Sequence, residues 1–569
     1  MAAAQLLFNG ERTVVVLFVT RIVLCADSSI LYESLALVML ALYALAVEIC
    51  AEAPGRVSSL KTRYGFQDGT HVVVGNRKLK SFRALGFVSH LEIYELEMHI
   101  LPGASCGVLL GAITLPAVLA SKLIQQSRGY LLRAIELEEF EYLKLQYWAT
   151  FSCCFSVLSF VADWVLYLSL QHMDGVRLKL LFNTLCDVPF CKQIFDKYFG
   201  YMLGLPASVK LVYVVCQGLA AVKVVQYIIY TFPSCASIGE ALLVTSGLVH
   251  CFGDMVACTV AEICRRLISP GLVSAQFGIN RSEISTIIQG TLFGLLIFPI
   301  LFKSIIQIWG HMSSFHNLDS RRYEIWRTFI FYVLLSFIVI AIMPMWMQFV
   351  QEFSLHPILC ISKHSKVERI LLRKYYHLMA VCMFVPAVIY QPMFLDLAFG
   401  AALAVFLVLE IIRICRMWPL GQLVHQFMTA FTDHRDSDIL IVSHFSLLLG
   451  CALPIWMSSG YNDRPLAPFA GILSLGIGDT MASMVGYKYG VLRWSKAGKK
   501  TIEGTAAGIT SMLAACLTLL PLLASTGYLV TENWFPLLFA VTVSGLLEAY
   551  TAQLDNAFIP LVFYSLLCL

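Results

Sequence analysis

Long apolar runs, separated by short polar stretches, recur along almost the whole chain. A helix of about 20 apolar residues crosses a hydrocarbon core of about 30 Å. The pattern therefore predicts an all-α, polytopic integral membrane protein with about 13–15 transmembrane helices, since open sheet edges cannot lie in lipid. Clear candidate spans are 30–50, 101–122, 148–170, 209–232, 239–261, 288–309, 328–350, 376–391, 393–413, 438–458, 467–488, 505–527 and 534–551, and weaker ones are 13–26 and 556–569.

The amino-acid composition is also that expected of a membrane protein. Of the 569 residues, 59% are hydrophobic and 13% are charged, which is about half the charged fraction of soluble domains. The 40 Lys and Arg residues nearly balance the 36 Asp and Glu residues, which argues against nucleic acid as a partner. The 18 cysteines lie within apolar runs and form no CxxC pair, so we interpret them as packing residues rather than metal ligands.

The distribution of charge changes after residue 360. A basic segment precedes the span at 376–391, and such segments are typical of the cytosolic side of a membrane. We therefore predict an N-terminal multi-span region at 1–360, of unassigned role, and a membrane-embedded catalytic region at 361–569. The basic residues are Lys363, Lys366, Arg369, Arg373 and Lys374.

One acidic residue, Asp479, lies in the middle of the predicted span at 467–488. Facing lipid, it would cost at least about 2.5–3.5 kcal/mol, so it must have a partner. Asp479, Ser483, Gly486 and Gly490 are spaced by four, three and four residues, which places them on one helix face. That face is almost bare of side chains, which is also typical of tight helix packing in membranes.

A basic segment follows this span. Cations with glycine and threonine around them suit a polyphosphate, although an ordinary positive-inside loop is the alternative. Asp479 beside Lys499 and Lys500 would supply both a magnesium ligand and phosphate cations, as phosphoryl transfer requires. The segment contains Lys488, Arg493, Lys496, Lys499, Lys500, Thr501, Glu503 and Gly504.

These motifs carry a family resemblance. The run GIGDTMASMVGYKYGVLRW, followed by KKTIEGT, resembles the CTP-binding signature of the dolichol kinase family of polyprenol kinases. RKYYH at 373–377, FTDHRDSD at 431–438 and EAYTAQLDNAFIPL at 548–561 resemble the other blocks of that family in the same order. The resemblance covers 365–569, and the first 360 residues carry no motif that we can match.

The resemblance implies a CTP-dependent lipid kinase that converts dolichol to dolichyl phosphate for glycan-carrier lipids, including those of protein N-glycosylation. Its partners would be CTP, dolichol or another polyprenol, and the bilayer, with Mg²⁺ or a similar divalent cation as cofactor. The site would face the cytosol from the endoplasmic reticulum membrane. Residue chemistry alone does not choose CTP over ATP, and it leaves open the oligomeric state. A cytidylyltransferase acting on a lipid phosphate and a membrane transporter are the alternative functions.

The candidate site residues follow from the motifs. We predict Asp479 and Asp555 as metal ligands, and the predicted catalytic residues are Asp479, Lys499, Lys500 and Glu503. The predicted nucleotide-binding residues are Gly478, Asp479, Thr480, Ser483, Gly486, Gly490, Arg493, Lys499, Lys500, Thr501 and Gly504. Further candidates for phosphate, metal or hydroxyl contacts are Arg373, His377, Arg435, Asp436, Glu548 and Asn556.

Two spacings sharpen these expectations. Glu548 and Asp555 are seven residues apart and are expected to share a helix face, about 10.5 Å apart, too far to bind one ion together on a continuous helix. Gly253, Asp254 and Ala257 echo the GD-x-x-A pattern of the signature in another span, but no KKTxEG segment follows them. We therefore assign no catalytic role to Asp254.

Overall fold

The computed structural model is almost wholly helical, which confirms the predicted fold class. It describes residues 9–52, 80–82, 91–93, 106–132, 135, 137–170, 207–231, 236–268, 366–415, 424–425, 442–494, 500–525 and 534–569. The α-helices of this part are α1 (Gly10–Leu24), α2 (Leu31–Glu52), α3 (Val108–Leu131), α4 (Leu137–Leu170), α5 (Ala207–Thr231), α6 (Ile238–Ile268), α7 (Lys366–Tyr390), α8 (Pro392–Cys415), α9 (Val442–Met457), α10 (Thr480–Tyr489), α11 (Ile502–Ser525), α12 (Trp534–Tyr550) and α13 (Asp555–Cys568).

A small amount of extended structure accompanies the helices. Strands β1 (Lys80–Phe82) and β2 (Leu91–Ile93) pair antiparallel, with Lys80 opposite Ile93. A single antiparallel bridge also joins Arg493 to Thr501. These pairings are short and do not change the helical class of the fold.

Many of the described helices suit a bilayer. Seven are long and apolar enough to cross a membrane, and four shorter apolar helices accompany them in the described part of the chain. The protein is therefore a multi-pass membrane protein. The predicted spans at 288–309 and 328–350 lie outside the described residues.

The predicted span at 467–488 differs from a regular α-helix. It begins with a 3-10 turn at Ala467–Phe469, continues as a π-helix at Ile472–Asp479 and becomes α-helical only in α10. π-Helical turns are rare and occur frequently at functional sites. Asp479 is the last residue of the π-helical segment.

The chain divides into two compact units. The first combines Met1–Arg281 with Lys374–Phe406 and Asp433–Leu569, and the second contains Ser282–Arg373 and Leu407–Thr432. In the described part of the second unit, Arg413 forms a buried ion pair with Glu410 at 2.7 Å. The first unit thus builds one body from the N-terminal spans and the C-terminal motifs.

Helix α3 lies at the centre of the first unit. Its span is wholly buried, and it packs against α1, α2, α4, α6 and α13. At the start of α3, the Leu109 amide donates to Glu48 Oε2 at 2.7 Å and the Cys106 amide donates to Glu52 Oε1 at 2.9 Å. The carboxylates of α2 thus satisfy amides that a helix start leaves without partners.

The other end of α3 is tied to the loop between α9 and the 3-10 turn. Arg128 Nε donates to Asp463 Oδ2 at 2.7 Å, and Arg128 Nη2 donates to the Cys568 carbonyl at 2.7 Å. Burial raises the pKa of the Asp463 carboxyl, but the hydrogen bond and charge of Arg128 outweigh it and bring the pKa below its usual range. Because Cys568 ends α13, this helix runs parallel to α3, with Asp555 at the opposite end.

Close backbone contact at Gly471 leads to a stability prediction. A Cβ added there would overlap the Gly450 carbonyl oxygen and lie 2.8 Å from Cys451 Cα. Overpacking costs about 1–3 kcal/mol, so Gly471→Ala should lower the thermal midpoint of the detergent-solubilised protein. Gly247→Ala is the matched control, because an added Cβ meets nothing within 4 Å there. Equal midpoints for the two variants would contradict a rigid contact at Gly471.

Candidate active site

Asp479 is a buried carboxylate with three polar neighbours. Its side chain accepts a hydrogen bond from Lys374 Nζ in a salt bridge, and His377 Nδ1 lies 3.5 Å from the same oxygen. Ser483 Oγ donates to Asp479 Oδ1 at 3.3 Å. The prediction that this carboxylate must have a partner is confirmed, and α7 supplies the charged one.

Lys374 is the site residue that sequence reasoning missed. The sequence predicts Arg373 and His377 as a pair four residues apart, and it marks Lys374 only as part of a basic segment typical of the cytosolic side. Residues three apart also share a helix face, and this spacing links Lys374 to His377. The side chain of Arg373 lies outside the described residues.

The bare face of α10 packs against α11. A Cβ added at Gly504 would lie 2.6 Å from the Ala482 carbonyl oxygen and 3.0 Å from Gly486 Cα. A Cβ at Gly490 would lie 2.7 Å from Thr501 Oγ1. The alternative interpretation of tight helix packing therefore describes this face, and nucleotide contact by its glycines stays a prediction.

Two predicted nucleotide-binding residues lie close to Asp479 on the same segment. A Cβ added at Gly478 would make an ordinary contact with Met512 Sδ at 3.4 Å. Thr480 is 1% exposed, and its hydroxyl has no hydrogen-bond partner among the described residues. Any ligand contact by either residue stays a prediction.

The segment after α10 folds back on the start of α11. The Ile502 amide donates to the Leu492 carbonyl at 2.8 Å, and the Trp494 amide donates to the Lys500 carbonyl at 3.3 Å. The Glu503 carboxylate accepts the Leu492 amide at 3.0 and 3.2 Å. Glu503 thus holds this turn together, and a direct catalytic role for it stays a prediction.

Lys500 lies between the end of α12 and the start of α13. Its ammonium donates to the Glu548 carbonyl and lies 3.6 Å from Asp555 Oδ2. The Asn556 amide donates to Asp555 Oδ1 at 3.1 Å. The expectation that Glu548 and Asp555 share one helix face is wrong, because α12 ends at Tyr550 and a corner at 551–554 precedes α13.

The carboxylates and lysines form one electrostatic cluster. The Glu548 side chain interacts electrostatically with Asp479, Lys500, Asp555 and Lys374. These five residues come from five different segments of the chain. Opposite charges are thus gathered around Glu548 at one end of the helices.

A preassembled metal cage is not part of this cluster. Within the described ranges, no group of three or more His, Cys, Asp or Glu side chains is placed to hold a metal ion. Mg²⁺, however, usually binds one or two carboxylates together with substrate phosphates. The chemistry of Asp479 and Asp555 therefore fits a metal that arrives with a nucleotide.

Several predicted site residues lie outside the described ranges. They are Lys499, Arg435 and Asp436. Arg493, by contrast, is described, and it lies in the bridge to Thr501.

The fold and the site define a polytopic membrane protein whose C-terminal helices carry a cluster of lysines and carboxylates. The family model for dolichol kinase matches residues 207–509. The dolichol kinase EVAN of Arabidopsis thaliana is 49% identical over 99% of this chain and 98% of its own length. This chain belongs to the dolichol kinase family.

More distant relatives carry the same name. The dolichol kinase of Homo sapiens is 29% identical over 64% of this chain and 73% of its own length. That of Saccharomyces cerevisiae is 36% identical over 33% of this chain and 34% of its own length. No solved structure gives a significant match to the chain.

Proposed function

We propose that this protein transfers the γ-phosphoryl group of CTP to the hydroxyl group of dolichol or a related polyprenol. The product, dolichyl phosphate, would serve glycan-carrier lipids, including those of protein N-glycosylation. The observation that carries the proposal is the gathering of Lys374 and Lys500 with three carboxylates beside the KKTIEGT segment. Membership of the dolichol kinase family supports the choice of acceptor.

The lysines would stabilise the charge of the transferred group. Lys374 and Lys500 neutralise phosphate oxygens, on which negative charge is spread in the transition state. The acceptor oxygen forms a bond to the γ-phosphorus, the bond to the bridging oxygen breaks, and CDP leaves. The hydroxyl proton passes to a carboxylate of the cluster, for which Glu548 and Asp555 are the candidates.

Asp479 and Asp555 would hold a divalent cation on the phosphates. Bound Mg²⁺ supplies charge neutralisation at the phosphate oxygens. The Lys374 ammonium forms a salt bridge with the Asp479 carboxylate, and His377 Nδ1 lies 3.5 Å from the same oxygen. The salt bridge would fix the position of this carboxylate before a nucleotide arrives. Ser483 supports the other carboxylate oxygen.

Labelled CTP tests the proposed function. Purified protein is incubated with dolichol, Mg²⁺ and CTP carrying label in the γ-phosphate. Label in the lipid supports the kinase. Label in pyrophosphate, when a lipid phosphate is supplied, would indicate a cytidylyltransferase, and label that stays in CTP would favour transport or another activity.

The topology of the site gives a prediction of its own. CTP is a charged cytosolic metabolite, so the Lys500 segment should face the cytosol, while the loop at 458–466 lies at the other end of the helices, next to Arg128. A glycosylation tag inserted after Ala497 should therefore stay unmodified, and one inserted after Ser459 should be glycosylated. Glycosylation of the tag after Ala497 would show that this segment is lumenal, which would contradict both the predicted topology and the proposed CTP site.

The natural sequon at Asn280 gives a second marker for the same topology. Two predicted spans, at 288–309 and 328–350, separate it from the basic segment that begins at Lys363. An even number of spans places both on the same side, so Asn280 should be cytosolic and unglycosylated. Asn280 itself lies outside the described residues.

A further inference from the structure

The corner between α12 and α13 rests on residues from the N-terminal part of the chain. Gln553, in this corner, is 4% exposed. Its Oε1 atom accepts a hydrogen bond from Ser237 Oγ, and its side chain lies over Gly107. Gly107 has a φ of +70°. A Cβ added at Gly107 would lie 2.8 Å from Gln553 Cγ, and it would lie closer still to the side-chain amide of Gln553. Gln553 precedes Asp555 by two residues, so these contacts bear directly on the site.

A second contact joins the N-terminal helix α1 to the same corner. Gly10, the first residue of α1, faces the ring of Tyr550, the last residue of α12. A Cβ added at Gly10 would overlap that ring and lie 2.7 Å from its Cγ atom. Only glycine allows α1 to approach Tyr550 this closely.

Tyr550 also contacts the turn that carries Lys500, through the ring of Trp494. The rings of Tyr550 and Trp494 lie 5.0 Å apart between centroids. Trp494 Nε1 donates to Thr505 Oγ1 at 2.9 Å, and the Trp494 amide donates to the Lys500 carbonyl at 3.3 Å. Three contacts therefore fix the position of Trp494: the Tyr550 ring, the Thr505 hydroxyl and the backbone carbonyl of Lys500.

Buried ion pairs fix the position of α1. Arg12 Nε lies 2.7 Å from Glu48 Oε1, and Arg12 Nη2 lies 2.6 Å from Glu52 Oε2. Arg12 and Glu48 side chains are 3% and 0% exposed. Because removing one partner of a buried charge pair leaves the other charge uncompensated, α1 is held firmly against α2, two residues from Gly10.

We propose that the N-terminal part of the chain is a positioning element of the kinase site. Helix α1 acts on Lys500 through Tyr550 and Trp494, and Gly107 and Ser237 act on Asp555 through Gln553. Trp494, Tyr550 and Gln553 are positioning residues, since none of them needs to touch the substrate. This inference rests on the proposed function, and it assigns the N-terminal spans a task in catalysis.

Kinetics of variants at the two ends of this chain of contacts test the proposal. Gly10→Leu displaces the Tyr550 ring, and Trp494→Phe keeps an aromatic ring but removes the hydrogen bond to Thr505. Both should raise the apparent KM for CTP about fivefold or more, with the KM for dolichol unchanged. Tyr550→Ala should match them, while Tyr550→Phe, which keeps the ring, should stay close to wild type. Gly247→Leu is the control, because a Cβ added at Gly247 meets nothing within 4 Å.

Trypsin supplies a readout that does not depend on activity. Lys496, Lys499 and Lys500 are cleavage sites beside Trp494. If α1 fixes this turn, Gly10→Leu should speed cleavage there about threefold or more relative to wild type and to Gly247→Leu, because proteolysis tracks local opening. Equal cleavage rates would overturn the proposal whether or not CTP is the donor.

The two proposals fail in different ways. Wild-type protein that transfers no phosphate from CTP would refute the proposed function, and the cleavage rates would still decide the positioning role. Active wild-type protein with unchanged CTP kinetics in Gly10→Leu and Trp494→Phe would refute the positioning role alone. If Gly10→Leu does not accumulate in membranes, Tyr550→Ala, which removes the ring that α1 contacts, decides by both readouts.

Discussion

Replacing Asp479 with asparagine should abolish measurable turnover, a loss of about 10³-fold or more in kcat. Asparagine keeps the shape of the side chain but removes the charge that Lys374 and His377 approach and that a metal would bind. The variant protein should still reach the membrane in normal amounts. The measurement is transfer of label from γ-labelled CTP to dolichol, normalised to the amount of protein.

Asp254→Asn is the matched control for this variant. Asp254 follows Gly253 as Asp479 follows Gly478, and it also lies in an apolar helix. Its carboxylate accepts hydrogen bonds from Tyr142 and Gln146. We expect kcat within about threefold of wild type for Asp254→Asn. Activity of Asp479→Asn within tenfold of wild type would remove Asp479 from the site.

The Lys500→Ala variant should lower kcat/KM for CTP by about 10²-fold. The Lys500 ammonium lies 3.6 Å from Asp555 Oδ2 and is held at the end of α12 by the Glu548 carbonyl. The Lys500 and Asp555 side chains are 37% and 42% exposed, and exposed ion pairs contribute about 1 kcal/mol or less to stability. A loss of activity would therefore reflect the reaction and not unfolding. Steady-state kinetics with varied CTP measure the effect.

Lys488→Ala is the control for the lysine variant. The Lys488 ammonium lies 5.2 Å from the centroid of the Tyr489 ring, and it belongs to the same basic segment. Its removal should leave CTP kinetics within about twofold of wild type. The double variant Lys499→Ala and Lys500→Ala should be worse than either single variant. Normal CTP kinetics in that double variant would mean that the basic segment determines membrane topology and does not bind CTP.

Much of the helical fold could be predicted from apolar run length. The run at 209–232 became α5 and the run at 393–413 became α8, with ends shifted by only a few residues. Pro392 begins α8, where its missing amide hydrogen costs nothing. Burial in lipid forces backbone hydrogen bonds to close within each span, so length and hydropathy suffice for this level of structure.

From residue chemistry and spacing alone, contacts within the candidate site could be predicted only between residues that are close in sequence. The four-residue spacing of Asp479 and Ser483 is confirmed by their hydrogen bond. The Lys374 contact joins residues 105 apart in sequence, and no local pattern encodes such a pairing. The separate predicted spans at 534–551 and 556–569 lie close to α12 and α13, but the shared face predicted for Glu548 and Asp555 assumed one continuous helix through the corner.

The π-helical segment Ile472–Asp479 has a consequence for comparing relatives. Hydrogen bonds from each residue to the fifth residue along the chain place more residues in a turn than an α-helix does. The residues before and after the π-helical segment therefore do not follow one continuous α-helical periodicity. Gly471, before the segment, packs against Gly450, whereas Gly486, after it, packs against Thr501 and Gly504. A single helical wheel drawn through the span assigns one of these faces wrongly, so each half needs its own wheel. A one-residue deletion between them would turn Asp479 away from Lys374 while every flanking motif stayed intact.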